Sequence, residues 1–175
     1  MNKVRSILVL FLLSLMHGGL AHAQWVQTNG PYGGMMISLA VSGTNLFAGT
    51  GGGGVFLSTN NGANWTATGL TRAWVNALAV SGTDLFAGTY GDGVFRSTNN
   101  GTSWTGVNTG LTNTTVFALA VSGTNLFAGA EGGVFLSTNN GTSWTAVNNG
   151  LTNTDVSTLA VSGTNLFAGN RKSVV

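Results

Sequence analysis

The sequence has no cysteine, one proline and little charge: 6% of its 175 residues are charged and 43% are hydrophobic. Without cysteine the chain has no disulfide framework, Cys-ligated zinc site, iron–sulfur cluster or thiol nucleophile. Six lysine and arginine residues are too few to build a DNA-binding surface. A disordered tail is also excluded, because such tails combine low hydrophobicity with high net charge. The length predicts one domain.

The first 23 residues have the pattern of a secretory signal peptide. Two basic residues precede an apolar run over residues 7–16, and Ala21 and Ala23 are the small residues that a signal peptidase reads. A membrane anchor is the alternative, but such a run rises only ~15 Å as a helix, about half of a bilayer core. We expect cleavage after Ala23, which removes both histidines, and a secreted, periplasmic or cell-surface protein with no remaining membrane span.

The rest of the chain, residues 24–175, is one unit repeated about four times. Leu39, Leu78, Leu119 and Leu159 each begin a near-copy of LAVSGTNLFAG, at spacings of 39, 41 and 40 residues. In the second unit, strand-like runs over 78–80, 85–87, 94–97 and 104–107 each end at turn residues. Four short strands in about 40 residues are typical of a propeller blade. We predict an all-β fold, a β-propeller of four-stranded antiparallel blades; β-helices and leucine-rich repeats fit the spacing less well.

A second signature, STNNGxxW, follows in each of the three complete units. It resembles the Asp-box, or BNR repeat, of sialidases, sortilin-type receptors and the secreted propellers similar to the photosystem II assembly factor. The resemblance implies a structural hairpin at the blade periphery, between the third and fourth strands. Asparagine replaces the usual acidic residue, and it keeps the turn because Asn also hydrogen-bonds its own backbone and tolerates left-handed geometry. The box residues are Ser58, Asn60, Gly62, Trp65, Ser97, Asn99, Gly101, Trp104, Ser137, Asn139, Gly141 and Trp144.

The residues themselves also predict these hairpins. Each box contains an Asn-Gly pair, and both residue types accept the positive φ that tight hairpin turns require. The box tryptophan is expected to pack on the neighbouring blade or turn. A sugar-binding platform is the alternative, but the tryptophan recurs at the same offset in every complete unit, which favours a structural role.

The two ends of the repeat region predict an incomplete ring. Residues 24–30 resemble a lone fourth strand, while residues 171–175 align with the start of a third strand in the preceding unit. A four-bladed ring with a stunted last blade is one interpretation. A fragment of a larger propeller is the interpretation we favour, because an open array leaves sheet edges exposed.

Sequence variation between the units is concentrated in two connections, one entering the first strand and one joining the second strand to the third. In an up-and-down blade both connections lie at the same end, so a constant framework presents variable loops on one face. We predict that this face binds a protein or a glycan at the cell surface; loops that simply drift are the alternative. No cofactor, metal or nucleic acid is expected. The candidate binding residues are Tyr32, Arg72, Trp74, Tyr90, Asp92, Phe117, Glu131 and Asp155.

An enzyme and a purely structural surface module are the alternative functions. The resemblance to sialidases implies an arginine trio, a Tyr/Glu pair and an Asp acid/base, roles for which the chain offers only compositional candidates: Arg72, Arg96, Arg171, Tyr90, Glu131 and Asp92. A glycosidase with two carboxylates needs both facing one pocket. Asp92 and Glu131, from adjacent units, are the nearest such pair, and we assign no catalytic residue.

Overall fold

A computed structural model describes residues 30–32 and 34–170, and all regular structure in these ranges is β-strand. The predicted signal peptide, residues 24–29 of the predicted leading strand and the segment 171–175 lie outside the described residues. The strands are β1 (Met36–Ser42), β2 (Asn45–Thr50), β3 (Gly54–Ser58), β4 (Thr66–Ala67), β5 (Val75–Ser81), β6 (Asp84–Thr89), β7 (Val94–Ser97), β8 (Thr105–Gly106), β9 (Val116–Ser122), β10 (Asn125–Ala130), β11 (Gly133–Ser137), β12 (Thr145–Ala146), β13 (Thr158–Ser162) and β14 (Asn165–Gly169).

Each complete repeat forms one four-stranded antiparallel sheet, with strands paired in chain order. We call the sheets β1–β4, β5–β8 and β9–β12 blades 1, 2 and 3, and the hairpin β13–β14 blade 4. The predicted blade is therefore confirmed in three units. The first strands lie side by side in the order β1, β5, β9, β13. Among the described residues β13 does not pack on β1 as neighbouring first strands do, so the blades form an open array.

The strands differ in length from the prediction at both edges of a blade. The first strand of blade 2 begins at Val75, three residues before the predicted start, because its variable entry continues to pair with the end of β6. A register shift between Val75 and Ala77 accommodates that entry. The fourth strands are only two residues long and exposed. They are the outermost strands of each blade.

The hydrophobic core lies between the blades. One buried cluster joins Phe47 and Val55 of blade 1 to Val75, Leu85 and Ala87 of blade 2. A second cluster joins blades 2 and 3 in the same way, and a third joins blade 3 to blade 4. Because each blade buries its apolar side chains against the next, the units depend on one another for stability.

The STNNGxxW segments form the hairpins between the third and fourth strands. In blade 2, the buried Ser97 hydroxyl accepts a hydrogen bond from the Gly101 N–H (2.8 Å) and donates one to Asn99 Oδ1 (3.0 Å). Asn99 Oδ1 also accepts the Ser103 N–H at 2.9 Å. Asn100 and Gly101 have φ of 54° and 80°, the left-handed conformation that Asn-Gly turns adopt. The hairpins of blades 1 and 3 repeat this network.

Two of the box tryptophans connect neighbouring blades. Trp104 Nε1 donates to Thr68 Oγ1 of blade 1 at 3.3 Å, and Trp144 Nε1 donates to the Val107 carbonyl of blade 2 at 2.7 Å. The indole N–H of Trp65, in blade 1, is buried without a partner. The box thus forms a turn in each blade, and in blades 2 and 3 it also donates a hydrogen bond to the preceding blade.

We predict that Ser97→Ala destabilises the protein by about 1–3 kcal/mol, because it leaves the buried Gly101 N–H without an acceptor. The matched control is Thr98→Ala at the exposed neighbouring position, which is expected to change stability by less than about 0.5 kcal/mol. Urea unfolding measures both values. Equal stabilities for the two variants would contradict the structural role of the serine.

Candidate binding face

The variable connections of successive blades meet at one end of the array. Gly51, just after β2, forms a β-bridge with Trp74, which enters blade 2. Tyr90, just after β6, forms the equivalent bridge with Thr115, which enters blade 3. The entry to each of these blades is therefore paired with the second strand of the blade before it. This pairing makes the variable connections of blades 1–3 one continuous surface, which we call the binding face.

A shallow cavity of about 320 Å³ lies on the binding face, lined by Trp74, Asn76, Tyr90 and Phe117. Three of these four side chains are aromatic. Trp74 and Tyr90 remain 48% and 60% exposed. Solvent-exposed aromatic rings around a concave site are typical of binding surfaces, because the rings offer large contact area with little conformational freedom to lose.

Main-chain and amide hydrogen bonds hold the rings in place. The Tyr90 N–H donates to the Trp74 carbonyl at 2.9 Å, and Asn76 Nδ2 donates to the Val116 carbonyl at 2.9 Å, next to Phe117. The Trp74 indole lies over Gly51, where a Cβ would be only 3.5 Å from Cζ2. The site is thus built on strand ends of blades 1, 2 and 3, and its geometry depends on how these blades pack.

The charged candidate residues do not line this cavity. Arg72, Asp92, Glu131 and Asp155 are exposed, and Arg72 has a φ of 59°. Asp92 and Glu131 are tied into the structure through backbone atoms: the Asp92 carbonyl accepts Asn108 Nδ2 at 3.2 Å, and the Glu131 N–H donates to the Thr115 carbonyl at 3.4 Å. Tyr32, at the start of the described residues, is 90% exposed.

Two asparagines that sequence reasoning missed support the loops carrying Asp92 and Glu131. Asn108 Oδ1 accepts the Val94 N–H at 2.7 Å, and Asn148 makes the equivalent contacts in blade 3, accepting the Val134 N–H at 2.8 Å and donating to the Gly132 carbonyl at 2.9 Å. The signal was present, since both asparagines follow a valine at the same offset from the box tryptophan. Through these hydrogen bonds each amide fixes its loop to the third strand of the blade.

Asn76 was also missed as a lining residue. It lies within β5 and at the end of the variable connection that enters blade 2. The corresponding position holds Ile37, Phe117 and Ser157 in the other units, so its variation was visible in the sequence. The binding face therefore includes the first residues of the inner strands as well as the loops.

Arg96 forms an ion pair, and the differences between the aligned repeats point to its partner. Its guanidinium donates to Asp84 Oδ2 from Nη2 (2.6 Å) and Nε (3.0 Å), across strands β6 and β7. Within residues 30–32 and 34–170 this is the one ion pair. Blade 2 is also the unit in which Asp replaces the usual Asn and Arg replaces the usual Leu at these positions. Arg96 is thus a structural partner of Asp84, and Arg171 lies outside the described residues.

Two other cavities are formed by framework residues. One, of about 290 Å³, lies at the outer edge between blades 1 and 2, and the other, of about 260 Å³, lies between blades 3 and 4. The described part of the chain holds no group of three or more His, Cys, Asp or Glu side chains that could bind a metal. In the same residues no helix is long and apolar enough to cross a membrane.

Comparison with solved structures identifies the architecture. The computationally designed Ika4 protein aligns with a TM-score of 0.68 at 16% identity, over 87% of this chain and 95% of its own. An ancestral GH74 enzyme aligns with a TM-score of 0.67 at 24% identity, over 86% of this chain and 23% of its own. YCF48 from Cyanidioschyzon merolae aligns with a TM-score of 0.61 at 17% identity, over 71% of this chain and 40% of its own.

This chain thus spans less than half the length of the GH74 enzyme and of YCF48. Searches against protein-family models and against curated proteins find no match. At these identities the likeness establishes the fold alone, and it agrees with the sheet topology described above. The chain is an all-β protein with the fold of an incomplete β-propeller.

Proposed function

We propose that this protein is an exported, non-catalytic propeller scaffold of the Asp-box type that binds a protein or a glycan through its binding face. The single observation that carries this proposal is the cavity formed by Trp74, Tyr90 and Phe117, three aromatic residues at positions that vary between otherwise near-identical units. Export is supported by the signal-like pattern of residues 1–23, and the Asp-box assignment by the three STNNGxxW hairpins.

The chemistry of the cavity favours stacking and apolar contact over charge recognition. Its lining contains three rings and one amide, and no ionisable acid or base apart from the tyrosine phenol. Its volume of about 320 Å³ is at the lower end of ligand pockets, which suits a single sugar ring or one anchoring side chain of a protein partner. The exposed charged residues of the variable connections, Arg72, Asp92, Glu131 and Asp155, would then contribute to the polar rim that protein interfaces typically have.

A glycoside hydrolase remains the second candidate, because solved structures with a similar fold include a GH74 enzyme. The described geometry offers it little support. A retaining glycosidase needs two carboxyl groups about 5–5.5 Å apart on either side of the scissile bond. The cavity contains none, and Arg96, a candidate for a sialidase-like trio, is occupied by Asp84.

For binding, we predict that Trp74→Ala and Tyr90→Ala each weaken capture of the partner at least about tenfold, the loss typical of an aromatic hot spot. The partner source is surface glycan and surface protein from the native organism, tested as separate preparations. Both side chains are about half exposed, so the unfolding midpoint should stay near that of the wild type. The matched control is Val147→Ala, an exposed apolar residue on the outer edge of blade 3. Wild-type capture by both aromatic variants would refute the proposal.

For catalysis, we predict no turnover of fluorogenic sialosides or common glycosides by the purified protein. Glu131→Gln and Asp92→Asn should be indistinguishable from the wild type in the same fluorescence assay. Turnover by the wild type that disappears in Glu131→Gln would instead favour the hydrolase.

A further inference from the structure

Blade 1 exposes residues that the other blades bury fully or in part. Val75 and Val116, at the start of the first strands of blades 2 and 3, are fully buried against the preceding blade. Met36, at the same position of blade 1, is 40% exposed, and Leu39 and Val41 further along β1 are 61% and 60% exposed. We call Met36, Leu39 and Val41 the leading face.

In the internal blades the leading face is half of an interface. Leu78 and Val80, the blade 2 equivalents of Leu39 and Val41, pack on the cluster that contains Phe47 of blade 1. In blade 3, the equivalent Leu119 and Val121 pack on the cluster that contains Phe86 of blade 2. The leading face of blade 1 thus has the side chains of a blade-to-blade contact but no blade against it among the described residues.

The hydrogen bonding of the Trp65 indole also differs between blade 1 and the internal blades. Its equivalent Trp144 donates its N–H to the preceding blade, and Trp104 shares its N–H between Thr68 Oγ1 of the preceding blade (3.3 Å) and the Gly101 carbonyl of its own hairpin (3.0 Å). Trp65 Nε1 is buried and has no hydrogen-bond partner. An unpaired buried donor of this kind costs about 1–3 kcal/mol, and it lies on the side of blade 1 where the internal blades have a neighbour.

Blade 4 presents the other half of the interface. Phe47 and Phe86 in the second strands of blades 1 and 2 are fully buried, because they lie against the next blade's hairpin at Gly101 and Gly141. Phe167, at the same position of β14, is 45% exposed. We call the surface around Phe167 the trailing face.

We propose that a second copy of this chain covers both faces, with the trailing face of each copy packed on the leading face of the other. The leading face and the β13–β14 hairpin are near-copies of the first- and second-strand surfaces that already meet between blades 1 and 2 and between blades 2 and 3, so they are complementary by sequence. A head-to-tail contact of this kind closes into a ring or grows into a filament, depending on its rotation. Among the described residues two copies supply six four-stranded blades and two two-stranded hairpins, and these eight blade positions are within the usual range of four to eight for a closed propeller.

The first test measures mass by light scattering during size-exclusion chromatography of the exported protein. The wild type is expected to elute with twice the mass of one chain. The double substitution Leu39→Lys and Val41→Lys should halve that mass, while its circular dichroism and cooperative unfolding show that the blades remain folded. Thr98→Lys, at an exposed position of the blade 2 hairpin outside both faces, is the matched control and should remain dimeric. A monomeric wild type, or a lysine variant that stays dimeric, would overturn the proposal.

The second test uses the head-to-tail geometry itself. Phe167→Lys alters only the trailing face, so it too should be monomeric. An equimolar mixture of this variant with the Leu39→Lys, Val41→Lys variant has one junction in which both faces are native. The mixture should therefore form mixed dimers at concentrations where each variant alone is monomeric. A mixture that remains monomeric at all concentrations at which the wild type is dimeric would contradict the proposed pairing of faces.

Discussion

Neighbouring blades meet where a valine of one blade lies directly against a glycine of the blade before it. A Cβ added to Gly88 would be 2.7 Å from Cγ1 of Val116, closer than real Cβ atoms approach. In the same way, Val75 packs against Gly49 and Val156 packs against Gly129. Each glycine lies in the second strand of its blade, so the absence of a side chain there lets the next blade's first strand approach closely. The buried clusters between the blades form around these contacts.

This contact joins a constant segment of one blade to a variable connection of the next. The LAVSGTNLFAG segment supplies the glycine, whereas the valine lies three residues before that segment, in the connection that enters the first strand. Blades 2, 3 and 4 all have valine at this position, Val75, Val116 and Val156, while the residues around it differ. Trp74, Tyr90 and Phe117 occupy variable positions, yet their spacing is set by the close approach of blades 1, 2 and 3. A rigid framework can in this way hold variable side chains in a fixed arrangement.

The architecture was predictable from the sequence because the strand and turn signals are local and recur in each repeat. Repeats at about 40 residues, turn residues after each apolar run and an Asn-Gly pair in each hairpin all point to the same blade. The site was predictable only in part. Trp74, Tyr90 and Phe117 stood out because they vary, but their convergence on one cavity depends on the register shift in β5 and on blade packing, neither of which is encoded in a short window. The pairing of Arg96 with Asp84 and the support from Asn108 were missed for the same reason: both join residues more than ten positions apart across strands.

The most direct test of this account compares two glycine-to-alanine substitutions in blade 2 by urea unfolding. Gly88→Ala adds one methyl group at the contact with Val116 and is predicted to cost about 1–3 kcal/mol of stability, because the blades must move apart. Gly106→Ala adds the same methyl group in the fourth strand, where alanine occurs in blades 1 and 3 and the nearest atom to the new Cβ is 3.7 Å away. It is predicted to leave stability unchanged or to raise it by up to about 1 kcal/mol. Equal effects of the two substitutions would contradict the claim that the close valine–glycine contact between blades holds the array together.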